Sequence, residues 1–101
     1  MRDTINVVVS ERALNEIYLP AFKAAVTEGG VWAVMGSYNK YKGEYCSHND
    51  TLINEILKKE WAFDGVMLTD WGSAHNTNEA ALNGLDLEMG TWTNGLTWGI
   101  S

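Results

Sequence analysis

Ile56-Leu57-Lys58-Lys59-Glu60-Trp61-Ala62-Phe63-Asp64-Gly65-Val66-Met67-Leu68-Thr69-Asp70-Trp71-Gly72 is the stretch on which the fold turns. Its first residues complete a pattern in which Leu52, Ile53, Ile56, Leu57 and Trp61 recur at three- and four-residue steps, predicting a helix over about 50–61 with one apolar face. Phe63-Asp64-Gly65 then has the composition of a turn. Val66 to Thr69 is a short apolar run without helical spacing, as expected of a strand covered on both faces. A carboxylate directly after such a run is costly to place unless something pairs it or uses it, so Asp70 is the leading candidate for chemistry. Taken alone, a strand-end Asp could equally cap a helix or pair with a distant Arg. Trp71 offers a flat apolar face of the kind that packs on a pyranose, and also of the kind that fills a core.

The same alternation extends outward in both directions. Upstream, Leu14, Ile17, Tyr18, Phe22, Ala25 and Val26 predict a helix over 10–29, with Ser10 as N-cap, Gly29 and Gly30 at its end and a bend at Pro20. Residues 31–38 form a second buried-type strand. A polar stretch over 40–49, containing Gly43, leads to the helix at 50, where Ser47 and Asp50 are spaced like a variant capping box. Downstream, a short helix is expected over about 77–83 and a third strand over 85–89. Residues 90–101, rich in Gly, Thr and Trp and without a period, read as a truncated loop. Helices alternating with about three short apolar strands predict an α/β fold with a parallel sheet and right-handed crossovers. That pattern alone does not separate an open doubly wound sheet from part of an eight-stranded barrel. Both place functional groups just beyond the strand C-termini, here Tyr38 and Asn39, Asp70 and Trp71, and Glu88 and Met89.

Composition narrows the partners. A chain of 101 residues with 46% hydrophobic and 20% charged residues is of ordinary globular type and fits one modest unit. A formal charge of −6 repels phosphate backbones and anionic lipid surfaces, which argues against nucleic acid and membrane partners. No apolar run approaches the roughly 18–20 residues that span a bilayer, and the N-terminus lacks a basic-then-apolar signal pattern. Cys46 is alone, so these residues close no disulfide and hold no cysteine metal cluster. Five Trp and four Tyr suit a sugar-stacking surface, although an aromatic core gives the same count.

Other polar residues suggest less. His48 and His75 lie in polar, loop-like stretches, fit surface or hydrogen-bonding roles, and as two isolated histidines make no metal site. Asp86 and Glu88 alternate on one face of the third strand, with Glu88 at its end. Glu11, Glu16, Glu28, Glu55 and Glu60 sit on helices with basic neighbours, as on a solvated face.

The stretch 56–72, with its paired aliphatics, base, acid, aromatic turn, Gly, apolar strand, Thr and Asp, resembles the active-site segment of glycoside hydrolase family 3. Val9-Ser10-Glu11-Arg12-Ala13-Leu14 with Glu16-Ile17-Tyr18-Leu19-Pro20 resembles that family's preceding helix. Val34-Met35-Gly36-Ser37-Tyr38-Asn39 and Gly84-Leu85-Asp86-Leu87-Glu88-Met89 resemble its flanking strands. The resemblance covers about residues 5–95 and implies that 1–101 is a fragment of an N-terminal (β/α)8 barrel, a partial TIM-type barrel. It further implies a nucleophilic role for Asp70, which would form a covalent glycosyl ester later hydrolysed by water. Trp71, Met35 and Tyr38 would line the subsite for the non-reducing sugar. Trp after the Asp resembles the β-glucosidase-like branch. Ala62, where Gly is usual, and Gly90, where Pro often follows the Glu-Met pair, depart from the family's pattern.

The resemblance also marks what these residues do not contain. The family's Lys-His sugar-binding pair is expected upstream of Met1, and the acid/base in a further domain or on a mobile loop. With one of the two carboxylates that a retaining mechanism needs, the fragment alone is expected to hydrolyse nothing at a useful rate. The implied substrate is a β-glucoside or oligosaccharide, the implied compartment periplasmic or extracellular, and no cofactor is called for. Two rivals are a non-catalytic carbohydrate-binding domain that stacks sugar on Trp71 and Tyr38, and an inactive remnant of a longer chain.

Overall fold

The computed structural model describes residues 3–89. At its centre two parallel strands, Ala33–Gly36 and Val66–Thr69, pair with Ala33 beside Val66 and Gly36 beside Thr69. Successive side chains of a strand point to opposite faces, so Met67 and Thr69 turn together toward the helices and are buried, while Val66 lies exposed on the other side. Only one face of the pair is therefore covered among the described residues, where the unbroken apolar runs predicted cover on both. The hydrophobic demand of the second face is real, but its cover is not among these residues.

The third strand is reduced to one parallel bridge, Leu68 to Leu87. Thr69 N donates to Leu87 O at 3.1 Å, and the Asp86 and Leu87 amides both donate to Met67 O. Lys58 Nζ holds the Asp86 carboxylate at 2.9 Å, and the other Asp86 oxygen accepts from Met67 N at 2.8 Å. This pairing fastens the second helix, the central strand and the third segment to one another, a role that alternation did not reveal.

The first helix is built in parts. Ser10 caps it, its hydroxyl accepting from Ala13 N at 3.0 Å. A turn at Glu11–Ala13 widens to i→i+5 bonding over Leu14–Tyr18, and Pro20 then opens a regular α-helical segment, Pro20–Thr27. The widened turn lets Leu19 N reach Leu14 O at 2.9 Å just where Pro20 has no N–H to give, the physical form of the predicted bend.

The second helix, Thr51–Glu60, carries Ile53 and Leu57 into a core completed by Phe63, Met67, Ala74, Ala80 and Leu85. Each such large side chain contributes about 1.5–3 kcal/mol by leaving water. Its cap differs from the predicted Ser47–Asp50 box. Asn49 Oδ1 accepts from Leu52 N at 3.0 Å, and the Glu44 carboxylate accepts from Asp50 N at 3.1 Å. Ser47 is buried and bonded elsewhere. A third helix, Thr77–Leu82, is capped by Asn76, whose Oδ1 accepts from Glu79 N.

The polar stretch over 40–49 is more ordered than a connection. Lys40–Tyr41 and Glu44–Tyr45 form an antiparallel hairpin, and Asn6–Val7 adds a parallel strand beside Lys40–Tyr41. Lys42 (φ 50°) and Gly43 (φ 86°) make the two-residue link, with the two positive φ values of a type I′ turn. A Lys where Asn or Gly is favoured concealed the turn. No helix among the described residues is long and apolar enough to cross a membrane. The loop expected over 90–101 lies outside the described residues.

Candidate functional site

Asp70 stands at the C-terminal end of the Val66–Thr69 strand, and its backbone N–H donates to Gly36 O at 3.3 Å. That bond extends the ladder by one step and sets Asp70 beside the segment that continues through Ser37 to Tyr38. The chain then reverses. Ser73 N donates to Asp70 O at 3.2 Å across a four-residue turn with Gly72 at φ 73°, the positive value that the third position of a type II turn requires. A Gly is placed here by backbone geometry. The turn brings Trp71 N to within 2.7 Å of Asp70 Oδ1, so the carboxylate accepts a hydrogen bond from its own turn.

Of the residues singled out from the sequence beside this half-buried carboxylate, two are open and one is not. Trp71 at the corner is 55% exposed, Met35 on the neighbouring strand is 57% exposed, and Tyr38 is half-buried. Met35 lies beside Leu68 in register, and both share the face opposite to Met67. Asp70, two residues beyond Leu68, continues on that face. A carboxylate and a thioether thus share the face of the parallel pair opposite to Met67, and the exposed Trp71 lies at the adjoining corner.

Behind the site lies a buried polar layer. Ser47, Asn49, Thr69 and Ser73 are all enclosed, and each is bonded: Asn49 Nδ2 donates to Tyr41 O at 2.8 Å, and Thr69 Oγ1 accepts from Met89 N at 2.8 Å. Sequence reasoning missed these residues, because short polar side chains in a polar stretch look like loop. Glu88, next to Met89, is half-buried, and that burial raises its carboxyl above the ordinary value.

The two histidines part company. The polar stretch around His48 predicts a surface or hydrogen-bonding role. Instead His48 is 2% exposed, its ring nitrogens make no hydrogen bond among the described residues, and Nδ1 lies 3.4 Å from Glu79 Oε2 without hydrogen-bond alignment. The tight turn Cys46–His48 carries it inward, where its ring meets the edge of Tyr45 at 5.6 Å. His75 is exposed, as expected, and stacks on the same Tyr45, with centroids 3.7 Å apart. Partial burial and the nearby His48 and Lys40 lower its pKa, with Asp3 opposing them. Among the described residues no three His, Cys, Asp or Glu side chains gather as a metal site would require.

Residues 2–89 match the model of the glycosyl hydrolase family 3 N terminal domain. The chain is 60% identical over 96 residues to beta-glucosidase BoGH3A of Bacteroides ovatus and 52% identical over 92 residues to a beta-glucosidase of Rhizobium radiobacter. These alignments cover 95% and 90% of this chain but 13% and 11% of those proteins. The solved structure of beta-glucosidase from Kluyveromyces marxianus in complex with glucose superposes with a TM-score of 0.88 at 41% identity, over 96% of this chain and 11% of that one. The parallel α/β architecture is thus that of a partial barrel from this family's N-terminal domain. The chain belongs to glycosyl hydrolase family 3.

Proposed function

We propose that this chain is the nucleophile-bearing segment of a retaining β-glucosidase that releases terminal non-reducing β-D-glucosyl residues, with Asp70 as the attacking group. The observation that supports this most is the placement of a half-exposed carboxylate at the end of a parallel strand, beside an open Trp71, in a chain 60% identical to a beta-glucosidase. In a parallel α/β barrel that end of the strands is where catalytic groups gather.

The mechanism follows from one carboxylate and one missing partner. Asp70 attacks the anomeric carbon as the glycosidic bond breaks, giving a covalent ester. A second carboxyl, about 5–5.5 Å away and supplied by the rest of the enzyme, protonates the leaving oxygen and then activates water for the second displacement. The Trp71 N–H bond at 2.7 Å orients one oxygen of Asp70, leaving the other to bond to carbon. Trp71 and Met35 present apolar surface to the C–H face of the sugar. The Tyr38 phenol donates to the carboxylate or the ring oxygen, which Tyr38→Phe tests: unchanged turnover removes that role.

The decisive experiment uses the full-length enzyme that carries this segment. A 2-fluoro glucoside should label Asp70, as located by mass spectrometry of the peptides, and Asp70→Asn should lower kcat by about three orders of magnitude or more. Label on another residue refutes the assignment. Retained sugar affinity with no turnover in the parent enzyme would favour the carbohydrate-binding reading.

A further inference from the structure

Ser47 and Ser73 lie 2.6 Å apart through their hydroxyl oxygens, and both side chains are completely enclosed. Ser47 Oγ also lies 3.3 Å from the carbonyl oxygen of Ser37. A carbonyl only accepts, so the single Ser47 proton goes to Ser37 O, and Ser73 must donate to Ser47. The bonds therefore run in one direction, from Ser73 through Ser47 to Ser37, and polarise one another in an enclosed site. The geometry of the neighbouring strand allows this. A Cβ on Gly36 would stand 2.5 Å from Ser47 Oγ and 2.7 Å from Ser47 Cα, so any larger residue there would expel Ser47.

The two ends of this relay are the two sides of the proposed active site. Ser37 precedes Tyr38 and follows the Met35 strand. Ser73 closes the Asp70 turn through its backbone N–H, and that turn aims the Trp71 N–H at the Asp70 carboxylate. We propose that Ser73, held by Ser47, is a positioning residue that sets the orientation of the Asp70 carboxylate relative to the sugar-binding strand end. The proposal rests on the nucleophilic reading of Asp70. It acts through geometry: an attacking oxygen displaced by about 1 Å can lose 100-fold in rate without any change in chemistry. The hydroxyls themselves touch no substrate.

The test is a cycle of Ser47→Ala, Ser73→Ala and the double variant in the full-length enzyme, assayed on an aryl β-glucoside. Each single variant should lose about 10–100-fold in kcat, while the inhibition constant for glucose stays within about twofold. The double variant should lose no more than the worse single one, since either change breaks the same relay. Ser73→Cys, which keeps a weak donor, should recover part of the loss. Thermal midpoints taken alongside separate positioning from folding. The proposal falls if both single variants keep kcat within about twofold, if the losses multiply in the double variant, or if they follow the fraction of enzyme unfolded. Asp70→Gly with added azide distinguishes the two levels. Parent-like turnover in Asp70→Gly overturns the nucleophile reading and this proposal with it. Loss that azide restores, with unaltered serine variants, overturns only the positioning role.

Discussion

The first and second helices have similar apolar stripes and opposite fates. In the second, Ile53 is 1% exposed and Leu57 is buried against Phe63 and Met67. In the first, Leu14 is buried and Val26 touches the core, but Ile17 is 70% exposed, and Tyr18 and Phe22 also lie in the open. An apolar groove of about 320 Å³ separates the two helices, with Tyr18 and Phe22 on one bank and Leu52, Ile56 and Trp61 on the other. The comparison shows that periodicity reports which face seeks cover, and that cover itself is a property of whatever else is present. This chain spans 13% of the length of its Bacteroides ovatus relative, and its unsatisfied apolar faces, on the first helix and on the strand pair, are consistent with that share.

Ile53→Ala and Ile17→Ala sharpen this contrast most. Removing the Ile53 side chain from a filled core should cost about 2–5 kcal/mol, whereas Ile17→Ala in the 101-residue chain should stay within about 0.5 kcal/mol. Urea denaturation of both variants measures the difference. Equal costs would break the comparison, because Ile17 would then be covered in solution, as by self-association. In a longer polypeptide in which other elements pack on the first helix, the Ile17→Ala cost should rise to about 2 kcal/mol or more.

The same distinction separates the features that are local in sequence from those that exist only in three dimensions. Helices, central strands and the strand-end Asp70 were legible because their signals are local: spacing of Leu52 to Trp61, a run from Val66 to Thr69, a carboxylate after it. The hairpin at Lys42-Gly43 was not, since Lys at a positive φ is an uncommon solution to a common turn. The inward turn of His48 was not either, because its burial depends on Glu79 of the third helix and Asn83 just after it, 31 and 35 positions away, and Asn83 Nδ2 reaches His48 O at 2.9 Å. The carboxylate and the indole of the site were visible in the string, but the Ser47–Ser73 relay behind them joins residues 26 apart and is visible only in three dimensions.

The helix ends form a second, finer comparison. Both close with an i→i+6 bond, Val31 N to Ala25 O at 3.2 Å and Phe63 N to Leu57 O at 3.1 Å, after a residue in the left-handed region. In one that residue is Gly30 at φ 65°, and in the other Ala62 at φ 53°. The departure from a usual Gly at position 62 is therefore a strained one. Replacing it, Ala62→Gly, should stabilise the protein by up to about 1 kcal/mol, the relief of left-handed strain exceeding the added freedom of the unfolded chain. Gly30→Ala should cost about the same, and a Cβ there would meet nothing within 4 Å, so the effect is conformational alone. Thermal melts should move in opposite directions by about 4–8 °C per kcal/mol. A fall in midpoint for Ala62→Gly would show that the Ala62 methyl makes a favourable contact.

The smallest effect separates the exposed histidine from the buried one. Burial, His48 and Lys40 hold the His75 pKa below the ordinary 6.5, so the unfolded chain takes up a proton at a higher pH than the folded chain does. The sign follows: stability present above pH 6.5 declines as pH falls from there through the lower folded value. Because His75 is largely in solvent, the difference is screened and should shift the melting midpoint by about a degree. His75→Gln should remove that part of the slope when midpoints are compared between pH 7.5 and 5, approximately the window in which histidine titrates. It should keep the flat contact with Tyr45, so the two proteins should melt alike at the upper pH and diverge at the lower. A parallel offset at every pH would assign the residue's contribution to stacking on Tyr45 and none of it to protonation.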